Sequence, residues 1–129
     1  MDCFRGKVLV VDDDGDLRDR TAALLKASGY LVWAARDGEE ALGILDREET
    51  IDLLFTDIAM PGIDGYSLAR EARRRRPKVR VLYAASPENR TGPENQIAPG
   101  LAPGFEGVIG KPYGPVQLRA EVRLAFAGL

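Results

Sequence analysis

A doubly wound α/β fold, a five-stranded parallel sheet with helices on both faces, is predicted by three observations. Apolar runs alternate with stretches of helical periodicity from end to end, the pattern of repeated βα units. Three of those runs stop at charge: Val8-Leu9-Val10-Val11 before Asp12 and Asp13, Leu53-Leu54-Phe55 before Thr56-Asp57, and Val108-Ile109-Gly110 before Lys111. Such short, unalternating runs suit strands buried on both faces. The length of 129 residues suits a single domain over 1–129 with a full core and is too short for two.

The elements follow in order. After the first strand, Leu17, Thr21, Leu24, Leu25 and Ser28 recur at helical spacing and Gly29 supplies a stop. Leu31-Val32-Trp33-Ala34 reads as strand two, with Trp33 as packing, and Ala41, Ile44 and Leu45 mark a helix capped by Asp37. Strand three ends at Asp57, and the turn chemistry of Met60-Pro61-Gly62-Ile63-Asp64-Gly65 precedes a helix carrying Leu68, Ala69 and Ala72. Val79 to Tyr83 is the fourth strand. From Pro87 to Gly107 the chain is rich in Pro, Gly and Asn, so the fourth of about five helices is expected to be short, displaced or irregular. Pro115 opens the last helix, which presents Leu118, Val122, Ala125 and Phe126 to the sheet.

Composition narrows the chemistry. The chain is 45% hydrophobic and 29% charged with a net charge of −2, a soluble globular balance with no drive toward nucleic acid. Arg73 to Arg76, with Lys78 and Arg80, look like a basic patch, but consecutive helical residues point around the circumference, and a solvated cationic helix end is expected instead. Cys3 is the sole cysteine, which excludes an internal disulfide and fits a reducing, cytoplasmic setting. No apolar stretch is long enough to span a bilayer. The absence of histidine removes Ser-His-Asp catalysis, histidine metal ligation and a phosphohistidine carrier role.

In an open α/β sheet, chemistry gathers outside the carboxyl ends of the strands, which is where Asp12, Asp13, Asp57 and Lys111 are delivered. Three clustered carboxylates repel one another, and a divalent cation resolves the repulsion. Mg2+ (or Mn2+) takes oxygen ligands, and the expected set is Asp13, Asp57 and the backbone carbonyl of Ala59, with Asp12 orienting metal-bound water. Asp57 is also the expected nucleophile, with Lys111 neutralising phosphoryl oxygens. A cis Lys111-Pro112 bond would turn the ammonium back into the pocket. Tyr83 and Tyr113 flank this rim; both read as packing, with Tyr113 also a candidate for lining a partner groove.

At this point the chain resembles the receiver domain of two-component response regulators over nearly its whole length. The resemblance rests on Val10-Val11-Asp12-Asp13-Asp14, on Asp57 to Gly65, and on Gly110-Lys111-Pro112-Tyr113, in order and at matching separations. It implies the flavodoxin-like strand order 2-1-3-4-5, phosphoryl transfer from a histidine kinase or phosphotransfer protein onto Asp57, magnesium at Asp12 and Asp13, and a signalling module rather than an enzyme. Further domains of a longer protein and a weak homodimer are also compatible with it; nucleic acid and membrane are not expected as direct partners. Two departures stand out. Ala84 is aligned where receivers carry the Thr or Ser whose hydroxyl bonds a phosphoryl oxygen, with Ser86 as a substitute donor, and Val108 stands where an aromatic residue is usual. Atypical switching through the segment from Pro87 to Gly107 is therefore expected.

Two other functions compete. A phosphate-independent pseudo-receiver scaffold is suggested by the missing hydroxyl. An Asp-nucleophile phosphohydrolase is loosely suggested by Asp12, Asp14 and Asp16, although Asp16 stands where such enzymes carry Thr or Val.

Overall fold

The computed structural model describes residues 4–86 and 105–127. Within them lie five strands, β1 (Lys7–Val11), β2 (Leu31–Ala35), β3 (Leu53–Asp57), β4 (Arg80–Ala85) and β5 (Phe105–Gly110), and four helices, α1 (Gly15–Ala27), α2 (Gly38–Arg47), α3 (Gly65–Arg75) and α4 (Pro115–Ala127). The strands form one parallel sheet in the order β2-β1-β3-β4-β5. The order reverses beside β1, so the crevice at the carboxyl ends of β1 and β3 is the topological switch point.

Sequence chemistry sets the helix boundaries. Asp14, Asp37 and Asp64 each cap a helix, their carboxylates accepting from the backbone N–H of Leu17, Glu40 and Ser67, which satisfies amides that have no partner within the helix. Gly29 ends the first βα unit at φ +102°, a conformation that side-chain-bearing residues avoid. Gly65 opens α3 for a different reason: a Cβ there would lie 2.3 Å from the carbonyl oxygen of Asp57 and 2.9 Å from Ile58 Cα. Only glycine lets α3 begin against the end of β3, where its N–H donates to the Ile58 carbonyl at 2.7 Å.

Two cores sandwich the sheet. On one face Leu9, Val11, Leu54, Val81 and Tyr83 pack with Ile44 and Leu45 of α2 and Leu68 and Ala72 of α3; Trp33 packs at its margin as expected. On the other, Val8, Val10, Leu53, Phe55 and Leu82 pack with Leu25 of α1 and Leu118, Val122 and Ala125 of α4. Each strand therefore sends alternate side chains into both cores, which is why its sequence is uniformly apolar.

Two strand boundaries shift. β4 occupies Arg80 to Ala85 rather than Val79 to Tyr83, because parallel pairing with β3 continues to Asp57 opposite Ala84 and pairing with β5 to Ala85 opposite Gly110. Val79 belongs to the preceding turn, its N–H donating to the Arg76 carbonyl at 2.9 Å. β5 begins at Phe105, three residues earlier than its apolar run, and a register shift at Val81/Leu82 accommodates the extra length. The expected short fourth helix falls in 87–104, and Cys3 at the amino end; both lie outside the described residues.

Candidate functional site

β1 and β3 are neighbours, so their last residues deliver carboxylates to one point. Asp12 and Asp57 are buried and Asp13 is exposed, and one carboxylate oxygen from each lies within 4.8 Å of the others. Asp12 is fixed from two sides: its Oδ1 accepts from the N–H of Asp14 at 2.9 Å, and its Oδ2 pairs with Lys111 Nζ at 2.9 Å. The chain turns immediately into α1, so one acidic stretch supplies two site carboxylates and a helix cap.

Lys111 arrives from the end of β5 through a cis Lys111-Pro112 bond, as the sequence predicts. Its ammonium lies 3.3 Å from Asp57 Oδ1 as well as against Asp12. Asp57 is only 5% exposed, and Oδ1 is shielded from solvent with no hydrogen-bond partner beyond that ion contact. Burial pushes the Asp57 carboxyl up to about 6 from 3.8; Lys111 opposes the rise, while Asp12 and Asp13 add to it. Burial alone would lower the Lys111 ammonium, but bonding and attraction to Asp12 and Asp57 outweigh it and raise the lysine.

An all-oxygen donor set with a buried oxygen short of donors fits a hard divalent cation. The candidate side-chain ligands are Asp12, Asp13 and Asp57, and Ala59 lies exposed in the turn two residues past Asp57.

The β4–β5 side of the rim differs. Ala84 lies opposite Asp57 in the strand register, but it packs in the core shared with α1 and α4. Val108 packs against the opposite core, which takes Val81, Tyr83 and Ala85 from β4. Alternation along β4 therefore separates Ala84 from Val108 and puts Ala85 on Val108's face. Whichever of the two stands at the switch position, it bears a methyl and no hydroxyl. Ser86 lines a cavity of about 670 Å3 with Lys111, Thr21, Leu17, Tyr113 and Leu118.

The sequence gives no sign of one further link. Tyr113 Oη and Thr21 Oγ1 are 2.8 Å apart, which ties the loop after Lys111 to α1, and the Tyr113 ring packs on Phe55 at 5.8 Å between centroids. Position i of a helix and a residue 92 places later carry no mutual signal in a single sequence. Tyr83 is wholly buried and packs on Tyr66, so its role as packing agrees with expectation.

The arginine run departs from the solvated helix end. Arg73 donates to the Val79 carbonyl at 2.8 Å, Arg75 pairs with Asp46 at 2.8 Å and Glu71 at 3.0 Å, and Arg76 donates to the Leu45 carbonyl at 2.6 Å. Long aliphatic stems let these side chains fold back along α2 and α3 while their guanidinium groups satisfy carbonyls and acids. No helix among the described residues is long and apolar enough to cross a membrane.

A parallel five-stranded sheet with three carboxylates and a lysine at its switch point defines a class of domain equipped to handle phosphoryl groups beside a divalent cation. Residues 8–123 match the family model of the response regulator receiver domain, and the chain belongs to that family. It is 34% identical over 117 residues to a probable transcriptional regulator ycf27 of Guillardia theta, covering 91% of this chain and 44% of that protein. It is 38% identical over 111 residues to an uncharacterized 14.6 kDa protein of Leptolyngbya boryana, covering 86% of this chain and 82% of that one. Among solved structures, the receiver domain of the hybrid histidine kinase CckA superposes with a TM-score of 0.77 at 35% identity, over 94% of this chain and 99% of that one. A receiver domain protein from Clostridium thermocellum gives a TM-score of 0.82 at 25% identity, over 94% of each chain. The chain spans about half the length of the transcriptional regulators it resembles, 44% to 49%.

Proposed function

We propose that this domain accepts a phosphoryl group on Asp57 in a two-component phosphorelay. The observation that carries the proposal is the buried Asp57 Oδ1, without a hydrogen-bond donor and 3.3 Å from Lys111 Nζ, beside two further carboxylates. The donor is a phosphohistidine of a histidine kinase or phosphotransfer protein, since the chain has no histidine of its own. An Asp57 oxygen attacks phosphorus, the N–P bond of the phosphohistidine breaks, and the departing imidazole takes up a proton. Lys111 pairs with a phosphoryl oxygen as the charge on Asp57 becomes part of the acyl phosphate.

Mg2+ (or Mn2+), when bound, neutralises the phosphoryl oxygens. Asp13, Asp57 and the Ala59 carbonyl would hold it, with Asp12 orienting its water. Asp12 already accepts from the Asp14 amide and from Lys111, which holds its carboxylate in place for that task.

Signal output is atypical. Ala84 and Ala85 offer no hydroxyl to a phosphoryl oxygen and Val108 offers no aromatic ring, so the common relay lacks both its parts. Ser86, on the rim with Lys111, is the nearest hydroxyl on that strand's end. The domain lies on the cytoplasmic side with its kinase, as a single domain either free-standing or joined to others in a longer protein.

A second function is favoured by the same alanines: a scaffold that keeps the fold without using phosphate. Incubation with Mg2+ and acetyl phosphate, followed by intact-mass measurement of wild type and Asp57→Ala, separates the two. An added phosphoryl mass that disappears in the variant supports acceptance at Asp57. Absence of the mass with acetyl phosphate and with a phosphorylated kinase, together with no binding of Mg2+ and beryllofluoride, overturns it in favour of the scaffold.

A further inference from the structure

At the amino ends of the strands, opposite the phosphoacceptor rim, lies a second concave site that phosphoryl acceptance does not use. Arg5 precedes β1, Tyr30 precedes β2, and Arg119 and Arg123 project from α4, whose last turns return to this end of the sheet. Together they line a cavity of about 490 Å3 floored by Ala27, Ser28 and Ala120. A smaller adjoining cavity of about 250 Å3 shares Arg5, Tyr30 and Arg123. The larger of the two falls within the size range of small-ligand pockets.

The charge of these arginines is not balanced among the described residues. Among the described residues, none of Arg5, Arg119 and Arg123 has an ion pair and no carboxylate lines either cavity. The contrast is with Arg73, Arg75 and Arg76, all of which are bonded. Arg5 is held in place: its N–H donates to the Gly29 carbonyl at 2.8 Å and its side chain lies across Gly29, 3.3 Å from where a Cβ would be.

Tyr30 supplies an independent indication. It is 4% exposed and its ring packs on Phe126 at 5.3 Å. Tyr30 also lines both cavities. Burial raises this phenol, with Arg5 and Arg123 opposing the rise, which places both guanidinium groups within electrostatic reach of the oxygen. A phenol beside a cluster of guanidinium forks matches a ligand rich in anionic oxygens.

We infer that Arg5, Arg119, Arg123 and the Tyr30 hydroxyl form a binding site for a compact phosphoanhydride anion. A single carboxylate or orthophosphate would satisfy one fork, whereas a diphosphate spreads its oxygens over several guanidinium groups, with the phenol O–H donating to one. The site lies between the end of α1 and α4 and contains none of the residues around Asp57.

The test is calorimetric titration of the full chain with pyrophosphate in EDTA at neutral pH and fixed ionic strength. Saturable binding at one site is expected, unchanged in Asp57→Ala and weakened about tenfold in Arg119→Gln and in Arg123→Gln. Tyr30→Phe keeps the ring packing and should weaken binding about threefold. Arg36→Gln, the same charge loss at an exposed residue on another part of the surface, should leave it unchanged. ADP binding as tightly as pyrophosphate identifies a nucleoside diphosphate as the source; pyrophosphate alone identifies the free anion. No saturable binding overturns the inference. So does equal weakening by Arg36→Gln, loss in Asp57→Ala, or orthophosphate binding as well as pyrophosphate. Because metal is absent and Asp57→Ala is included, failure here is distinct from failure of phosphoryl acceptance.

Discussion

The two halves of the carboxyl-end rim are built to different standards. On the β1–β3 side the carboxylates of the proposed acceptor site are anchored: Asp12 is held by the Asp14 amide and by Lys111, which reaches over from the end of β5, Asp57 is buried, and α3 starts flush against its backbone through Gly65. On the β4–β5 side the rim is a pair of methyl groups and a valine, Ala84, Ala85 and Val108. Charge that must be placed to within an ångström is fixed by strand ends and caps. Conveying a change to a surface needs a group that can occupy two positions, and methyl groups provide none. The chain thus joins a rim half whose carboxylates are fixed to one that carries neither a hydroxyl nor an aromatic ring at Ala84, Ala85 and Val108.

The largest effects should come from disturbing the acceptor half. The Asp57 carboxyl sits at about 6 in the folded state against 3.8 ordinarily. A carboxyl raised in this way adds stability below its unfolded pKa and loses that contribution as pH climbs through the folded one. Relative to Asp57→Asn, metal-free wild type should therefore match in stability below pH 4 and fall behind by roughly 3 kcal/mol well above pH 6. Urea denaturation of both proteins across that range measures it, and saturating Mg2+ should close the gap at neutral pH. A gap independent of pH would mean that burial of the charge is not its origin.

Gly65→Ala tests the backbone side of the same half. The added methyl would meet Asp57 O at 2.3 Å, and backbone cannot swing aside as a side chain does. A loss of about 1–3 kcal/mol is expected, together with slower phosphoryl uptake from acetyl phosphate because the acceptor strand end must shift. Full retention of both stability and rate would show that α3 and β3 yield freely, contrary to the picture of a fixed acceptor half.

Two substitutions sharpen the relay half. If Ala85 stands on the working face with Val108, Ala85→Thr should restore a phosphorylation-dependent change in the amide spectrum of residues near β4 and β5. Ala84→Thr, placing a hydroxyl in the core with Phe55 and Leu82, should instead cost about 1–3 kcal/mol without restoring it. The reverse result would assign the switch position to Ala84, as alignment of the sequence alone suggests.

These comparisons also mark where sequence reasoning reaches. Asp12, Asp13, Asp57 and Lys111 were legible because each ends an apolar run, and a parallel sheet brings run ends together. Helix starts at Asp37 and Pro115 were legible because caps and first-turn prolines act locally. The bounds of β4 were not, since pairing with β3 and β5 carries it to Ala85, past the apolar core of its run. Which alanine faces Val108 depends on those bounds, because one residue of shift exchanges the two faces. The arginine run was misjudged for a similar reason: its partners Asp46, Leu45 and Val79 become neighbours only after α2 and α3 pack.

The smallest expected effect concerns the seam between the halves. Tyr113 follows the Lys111-Pro112 bond and spans from Phe55 of β3 to Thr21 of α1, so it ties the lysine loop to the acceptor half. Tyr113→Phe keeps the ring against Phe55 and removes only the 2.8 Å hydrogen bond to Thr21, a loss of about 0.5–1.5 kcal/mol. Thr21→Val should cost a similar amount, and the double variant should lose less than the sum of the two, since either change alone already breaks the bond. Phosphoryl uptake in Tyr113→Phe should slow by a few-fold at most, because Asp12 and Asp57 still hold the Lys111 ammonium from the other side. Strict additivity of the two stability losses would show that the bond contributes nothing, and that Lys111 is positioned by its carboxylates and the strand end alone.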